Sequence, residues 1–343
     1  MKLQKQTLSY CPTCYAEIPA KVKVLQEGVF LEKQCPTHGS FESMIERDSN
    51  FYLYANSLPN PGIYGGYFVD VTRRCNLRCQ YCYHPKSDTE PADEFSIARI
   101  VADCKAQAAL PGRLPIILTG GEPTLRPDIV ELVNEVSRIG PVQVLTNGVR
   151  LAQDDDLFNR LMPALTRQTQ IGNVANLNLS IHHKETDKWR DVVFDCNRKA
   201  VCLESALIVI DSEQSFLDAI AIAREVSSAA LGVRLKAATR SWNEQKPNNR
   251  IYVSDMMNWL EKHVGSVEIV TNGVNNNSRY LNVRCDGLYL MLVAWPDIHN
   301  FDLCEVHCPP YYRAKNGEVR NLVEAFAINE GMDKGWCKGR RLG

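Results

Sequence analysis

Apolar positions along this chain follow two alternating rhythms: short continuous runs, and longer stretches with apolar residues three and four apart. Runs at 67–71, 114–118, 142–145, 177–181, 206–210 and 233–238 read as buried strands, with a further one at 267–270. Between them, Ile97, Ile100, Val101, Cys104 and Ala108 share one helical face, and Ile129, Leu132, Val133 and Val136 share another. Helical spacing returns over about 216–226 and 256–263. Strand–helix alternation of this kind predicts a parallel sheet with right-handed crossovers. Six such units suit an α/β fold, a partial (β/α)6 TIM-like barrel over residues 61–275. Ligands in such sheets gather at the C-terminal strand ends.

The two ends of the chain break the rhythm. Near the start, Val22, Val24, Val29 and Leu31 suggest a hairpin turning at Glu27-Gly28, bracketed by Cys11-Pro12-Thr13-Cys14 and Cys35-Pro36-Thr37-His38-Gly39. Two ligand-bearing knuckles joined by a hairpin make a metal-ribbon module over residues 1–60. Its ligand set is Cys11, Cys14, Cys35 and His38, suited to tetrahedral zinc, with rubredoxin-type iron as the competitor. Pro59, Pro61, Gly62, Gly65 and Gly66 mark a linker. At the other end, residues 279–284 and 288–293 flank Cys285-Asp286-Gly287 as a second hairpin. A turn at Asn316-Gly317 and an apolar stretch over 322–328 follow. These residues, 276–343, read as a small C-terminal α+β cap.

Charge narrows the partners. The 343 residues carry 39 Lys and Arg against 40 Asp and Glu, so no field of either sign draws in nucleic acid or an anionic membrane. There is no apolar leader and no run of membrane-spanning length, so the expectation is a cytoplasmic protein without a membrane span. Thirteen cysteines in such a compartment, clustered as C-x2-C and C-x3-C-x2-C, point to metal ligation rather than disulfides.

The densest chemistry lies just after the first barrel strand, at Cys75-Asn76-Leu77-Arg78-Cys79-Gln80-Tyr81-Cys82. Three thiolates on one loop can hold three irons of a [4Fe–4S] cluster and leave the fourth open, where an electron carrier needs four ligands. Thr119-Gly120-Gly121-Glu122-Pro123 follows the next strand. Together the two motifs resemble the radical S-adenosylmethionine (SAM) superfamily, in which the second is the GGEP motif. The resemblance implies an enzyme in which SAM chelates the open iron of Cys75, Cys79 and Cys82. One electron then cleaves its C5′–S bond, and the 5′-deoxyadenosyl radical takes a hydrogen atom from substrate. By position, Gly120, Gly121, Glu122 and Pro123 would cradle the methionyl amine, and Tyr81 would lie near the adenine. Asn147 and Ser180, polar residues at strand ends, become candidates for the ribose or carboxylate. His182 and His183, also at a strand end, become candidates to face substrate.

The N-terminal knuckles resemble those of the group containing the archaeal tetraether lipid synthase and the tetrahydromethanopterin methylase. Toward the C-terminus, Cys304 and Cys308, with Cys337 and Cys285, could hold an auxiliary iron–sulfur cluster. The alternative is free thiols in the cap, and the spacing does not reproduce that of the SPASM extension or of the molybdenum-cofactor cyclase. Cys104, Cys196 and Cys202 read as plain thiols. The expected partners are a small-molecule substrate and an electron donor such as ferredoxin or flavodoxin. The competing functions are modification of a peptide or nucleobase and, in another class, a non-catalytic iron–sulfur or zinc scaffold.

Overall fold

The structure is a computed structural model that describes residues 3–14, 16–58, 67–79, 82, 94–108, 115–238, 250–275, 278–294, 311–313 and 319–321. Four strands form the N-terminal module: β1 (Leu3–Tyr10), β2 (Glu17–Leu25), β3 (Gly28–Cys35) and β4 (Gly39–Glu46), an antiparallel meander in that order. Alternation along β2 buries Ala20, Val22 and Val24 against Val29 and Leu31 of β3, forming the expected hairpin. The flanking β1 and β4 carry few apolar residues at period two, so the sequence gives them little signal. Helix α1 (Ser49–Ser57) follows. The Asp48 carboxylate caps its N-terminus by accepting from the Phe51 amide, and Tyr52 closes the small core.

The main sheet alternates with helices as the runs predict. It holds β5 (Tyr67–Thr72), α2 (Ile97–Ala108), β6 (Ile116–Gly120), α3 (Ile129–Ser137), β7 (Val142–Thr146), α4 (Asp155–Leu165), β8 (Thr166–Thr169) and β9 (Gly172–Ile181). The chain continues through α5 (Trp189–Arg198), β10 (Val201–Ile210), α6 (Glu213–Val226), β11 (Val233–Ala237) and α7 (Val253–His263). Strands β5, β6, β7, β9, β10 and β11 lie side by side in that order, all parallel, while β8 pairs antiparallel with the start of β9. Helices α4 and α5, which the run pattern does not single out, carry the periodicity. Leu157, Phe158, Leu161, Met162 and Leu165 share the buried face of one, and Trp189, Val192, Val193 and Cys196 that of the other.

After α7 the sheet extends through β12 (Glu268–Asn275), β13 (Ser278–Cys285) and β14 (Leu288–Ala294). The chain enters at the far edge, turns back, and only β14 meets β11, in parallel. The hairpin expected at 279–293 is present, with Asp286 and Gly287 at positive φ in its turn, and it belongs to the barrel sheet. Strands β5 and β12 remain as two edges, so the described sheet is an open, partial barrel. Two short strands, β15 (Tyr311–Arg313) and β16 (Val319–Asn321), pair antiparallel; the Asn316-Gly317 turn expected between them lies outside the described residues, as does the stretch over 322–328. Among the described residues no helix is long and apolar enough to cross a membrane.

One face of the barrel sheet packs on the helices. Val69, Val71, Leu118, Val144, Leu177, Leu179, Ile181, Ile208 and Leu235 join helical side chains in one core. Cys104 and Cys196 sit in that core, and burial pushes both thiols up to about 12, as plain core cysteines require. The N-terminal module docks against α7: the buried Glu46 carboxylate accepts from the Ser254 hydroxyl, and Arg47 reaches Asp255 at 3.2 Å. Leu118 is fully buried in β6, two residues before Gly120, and packs in the core. Leu118→Ala is expected to cost about 2–5 kcal/mol in denaturant unfolding, the range for a buried leucine that leaves a cavity.

Candidate active site and metal centre

Two loops meet where β5 and β6 end. The Gly121 amide donates to the Thr72 carbonyl at 2.8 Å, and the Glu122 amide to the Arg74 carbonyl at 2.7 Å. This contact requires glycine. Gly120 has φ +130°, and a Cβ there would lie 2.1 Å from the Thr72 carbonyl oxygen. A Cβ on Gly121 would lie 2.1 Å from the Arg74 carbonyl oxygen, closer than nonbonded atoms approach. The cysteine loop therefore lies directly on the glycine pair.

The sequence reading places the Glu122 carboxylate on an incoming ammonium. The structure turns it into the protein, with 1% exposure. One oxygen accepts from the Thr124 amide at 3.0 Å, the Thr124 hydroxyl and the Thr146 hydroxyl at 2.6 Å; the other accepts from the Asn147 amide at 2.7 Å. Burial raises its pKa, against those hydrogen bonds. Glu122 thus ties the end of β6 to the end of β7, and Pro123, buried beside it, opens a single 3-10 turn, Pro123–Leu125. Asn147 extends the tie. Its side-chain amide donates to Asn76 Oδ1 at 2.8 Å and lies 4.0 Å from Cys75 Sγ, so it holds the cysteine loop.

The loop is gripped from behind by a network that no motif announced. The Arg74 guanidinium bonds both Glu94 oxygens, at 2.9 and 3.2 Å, and the Leu125 carbonyl at 3.0 Å. Arg126, 3% exposed, donates to the carbonyls of Val71 and Phe95 and pairs with Asp128. Arg74 is thus spent on this network, and Arg78 on the carbonyls of Cys75 and Leu77.

Cys79 is buried, and Cys75 and Cys82 are half-buried; each thiol lies close enough to feel the other two. Burial pushes Cys79 up to about 12 and raises Cys75, so these thiols keep their protons until a metal displaces them. An all-thiol donor set fits a soft iron–sulfur cluster. Lys236, at the C-terminal end of β11, is buried and close enough to Cys82 to feel its charge. Burial lowers Lys236 to about 7.

The histidine pair splits. Burial, then Lys236, lowers His182 to about 4, so it is neutral at ordinary pH and faces the barrel interior. His183 feels Asp211 and Asp218 near the start of α6, and neither of its ring nitrogens has a hydrogen-bond partner. Ser180 lies on the inner face two residues below His182, paired in register with Leu207. Tyr81 lies outside the described residues.

In the N-terminal module the ligand atoms of Cys11, Cys14, Cys35 and His38 all lie within 4.8 Å of one another. Cys14 Sγ and Cys35 Sγ are 3.8 Å apart, and His38 Nδ1 lies 3.5 and 3.7 Å from the sulfurs of Cys35 and Cys11. A tetrahedral zinc with bonds of roughly 2.3 Å to sulfur puts its ligands about that far apart. Burial pushes the Cys11 thiol up, but the amides of Cys14 and Thr13 and the neighbouring thiols bring it down to about 6. That favours the thiolate a metal needs.

Cys285 is buried at the end of β13, which is the foot of the barrel, beside the start of β14 and opposite the cysteine loop. Cys304, Cys308 and Cys337 lie outside the described residues, and among those described the N-terminal quartet is the one group of three or more metal-ligating side chains gathered so closely.

Residues 69–191, which include both loops, match the Radical SAM superfamily, and residues 3–47 match the HMPTM N-terminal zinc ribbon domain. The chain therefore carries a radical SAM domain behind an N-terminal zinc ribbon. It is 29% identical over 180 residues to the 7,8-dihydro-6-hydroxymethylpterin dimethyltransferase of Methanocaldococcus jannaschii, covering 43% of this chain and 35% of that protein. It is also 29% identical over 122 residues to the probable GTP 3′,8-cyclase of Archaeoglobus fulgidus, covering 36% and 37%. The chain thus spans about a third of the length of these curated relatives. Among solved structures it is similar to Streptococcus suis SuiB bound to precursor peptide SuiA, with 11% identity and a TM-score of 0.43 over 76% of this chain and 69% of that one.

Two substitutions are expected to separate the two candidate metal sites. Gly121→Ala is expected to abolish most cluster iron and sulfide while leaving one zinc per chain. Cys11→Ser is expected to do the reverse, losing zinc and the stability of the N-terminal module while retaining the cluster. Metal and sulfide analysis after anaerobic reconstitution reads both.

Proposed function

We propose that this chain is an enzyme that cleaves SAM reductively and uses the resulting radical on a C–H bond of a small molecule. The observation that supports this best is the pair of loops bonded through Gly120 and Gly121, which sets three thiols at the C-terminal mouth of the barrel. Cys75, Cys79 and Cys82 would hold a [4Fe–4S] cluster, which when bound and reduced supplies the electron that breaks the C5′–S bond of SAM. A ferredoxin or flavodoxin is the class of donor we propose.

The residues of the chain then have distinct tasks. Gly120 and Gly121 bring bare backbone against the cysteine loop, and their carbonyls suit an ammonium group. Glu122 and Asn147 hold that backbone and the loop in one geometry, so little reorganisation is needed as the reaction proceeds. Tyr81 and Ser180 remain the proposed neighbours of the adenosyl group. His182, neutral and buried, and Lys236 stand at the same mouth, where a substrate would meet the radical.

For the substrate we favour a 2-amino-4-oxopyrimidine heterocycle, the ring system shared by the pterin and the guanine named for the two curated relatives. Anaerobic incubation with SAM and dithionite is expected to yield 5′-deoxyadenosine, falling at least 100-fold in Cys79→Ala. Equal yields from both proteins would overturn the reading.

A further inference from the structure

The barrel interior has a polar floor just below the two loops. Register places Asp70 beside Thr119, Leu145 beside Asn178, and Asn178 beside Ser205. Leu118 pairs with Val144, which sets Thr119 next to Leu145 and makes the row continuous across five strands. These side chains point away from the helix-packed face, because their neighbours Val69, Leu118, Val144, Leu177 and Leu179 fill the core on the other side.

Two adjacent members of the row stand out. Asn178 is 2% exposed and Ser205 is 5% exposed, yet Asn178 Oδ1 and Ser205 Oγ have no hydrogen-bond partner. Leaving a buried polar atom unpaired is costly, and two adjacent ones in a well-packed sheet mark a place where something else supplies the partner. The strand pairing is irregular beside both ends of the row, between Leu203 and Ser205 of β10 and between Asp70 and Thr72 of β5. Irregularities of that kind re-aim side chains next to sites.

We propose that Asn178 and Ser205 form the floor of the substrate site and accept hydrogen bonds from the N–H edge of a flat heterocycle. The proposal rests on the reading of the site as a radical SAM centre. The donors required are an amide-type ring N–H and the exocyclic amine of a 2-amino-4-oxopyrimidine ring. Asp70, with Asn178 and Ser205, makes the floor rich in acceptors, whereas a ligand edge of carbonyls alone would leave Asn178 Oδ1 unsatisfied. A site built to bond an N–H rejects the analogue lacking it, because its own buried group is then left unpaired.

The test compares ring pairs that differ in the exocyclic amine: GTP against ITP, and 7,8-dihydropterin against 7,8-dihydrolumazine. Binding is measured by anaerobic equilibrium dialysis on the reconstituted, SAM-loaded protein. The wild type is expected to prefer the amino member of at least one pair by tenfold or more, and which pair responds tells a nucleotide from a pterin. Asn178→Leu and Ser205→Ala are each expected to reduce that preference to threefold or less. Ser205→Ala removes one oxygen only, so it keeps the test open should Asn178→Leu fail to fold. No preference in the wild type, or an undiminished one in Ser205→Ala, would overturn the proposal. Should that happen while SAM is still cleaved, the floor assignment alone falls; without SAM cleavage the reading of the centre falls with it.

Discussion

The site depends on one close approach, the backbone of Gly120 and Gly121 against the backbone of Thr72 and Arg74. Two amide–carbonyl bonds hold the two loops together, and no other residue type leaves room for them. A spacing of C-x3-C-x2-C makes three thiols available, but a loop that long is not rigid by itself. Bonding it to the end of the neighbouring strand converts it into part of the barrel. The cysteine loop at the mouth takes its position from that contact, with the Asn147 amide beside Cys75.

Around the contact the protein places charge where it cannot move. Glu122 takes four donors from three residues, and Arg126 links the carbonyls of Val71 and Phe95 to Asp128. Buried charges of this kind are tolerated only when hydrogen-bonded, and each bond also fixes a loop. The outcome is a set of loops braced by strand ends, on which a cofactor can be held without the surroundings having to adjust. The zinc ribbon solves its own problem differently. Its apolar cluster is small, and a tetrahedral ligand set supplies what so small a core does not.

The run pattern was enough to read six parallel strands, and helical spacing to read four of the helices, because a strand buried on both sides leaves a continuous apolar signature. It did not announce β1, β4, α1, α4 or α5. The faces of α4 and α5 were present at three- and four-residue spacing, but their exposed sides are charged and no apolar run drew attention to them. The Glu94–Arg74–Arg126–Asp128 network was equally silent, since isolated charges in sequence say nothing about what they reach.

The sequence by itself determined the ligand types, the order of strands and helices, and the two loops that share the site; those are consequences of residue chemistry and local periodicity. Only the tertiary structure decided where the side chains of those motifs point. Glu122, which by motif faces a ligand, is turned inward as a brace. Asn147 is drawn to Asn76 and Cys75, His182 and His183 go to different surroundings, and Cys285 lies at the foot of the barrel rather than its mouth. Asn178 and Ser205 became neighbours only through strand register. Orientation and register depend on contacts between residues far apart in the chain, and local pattern carries no record of them.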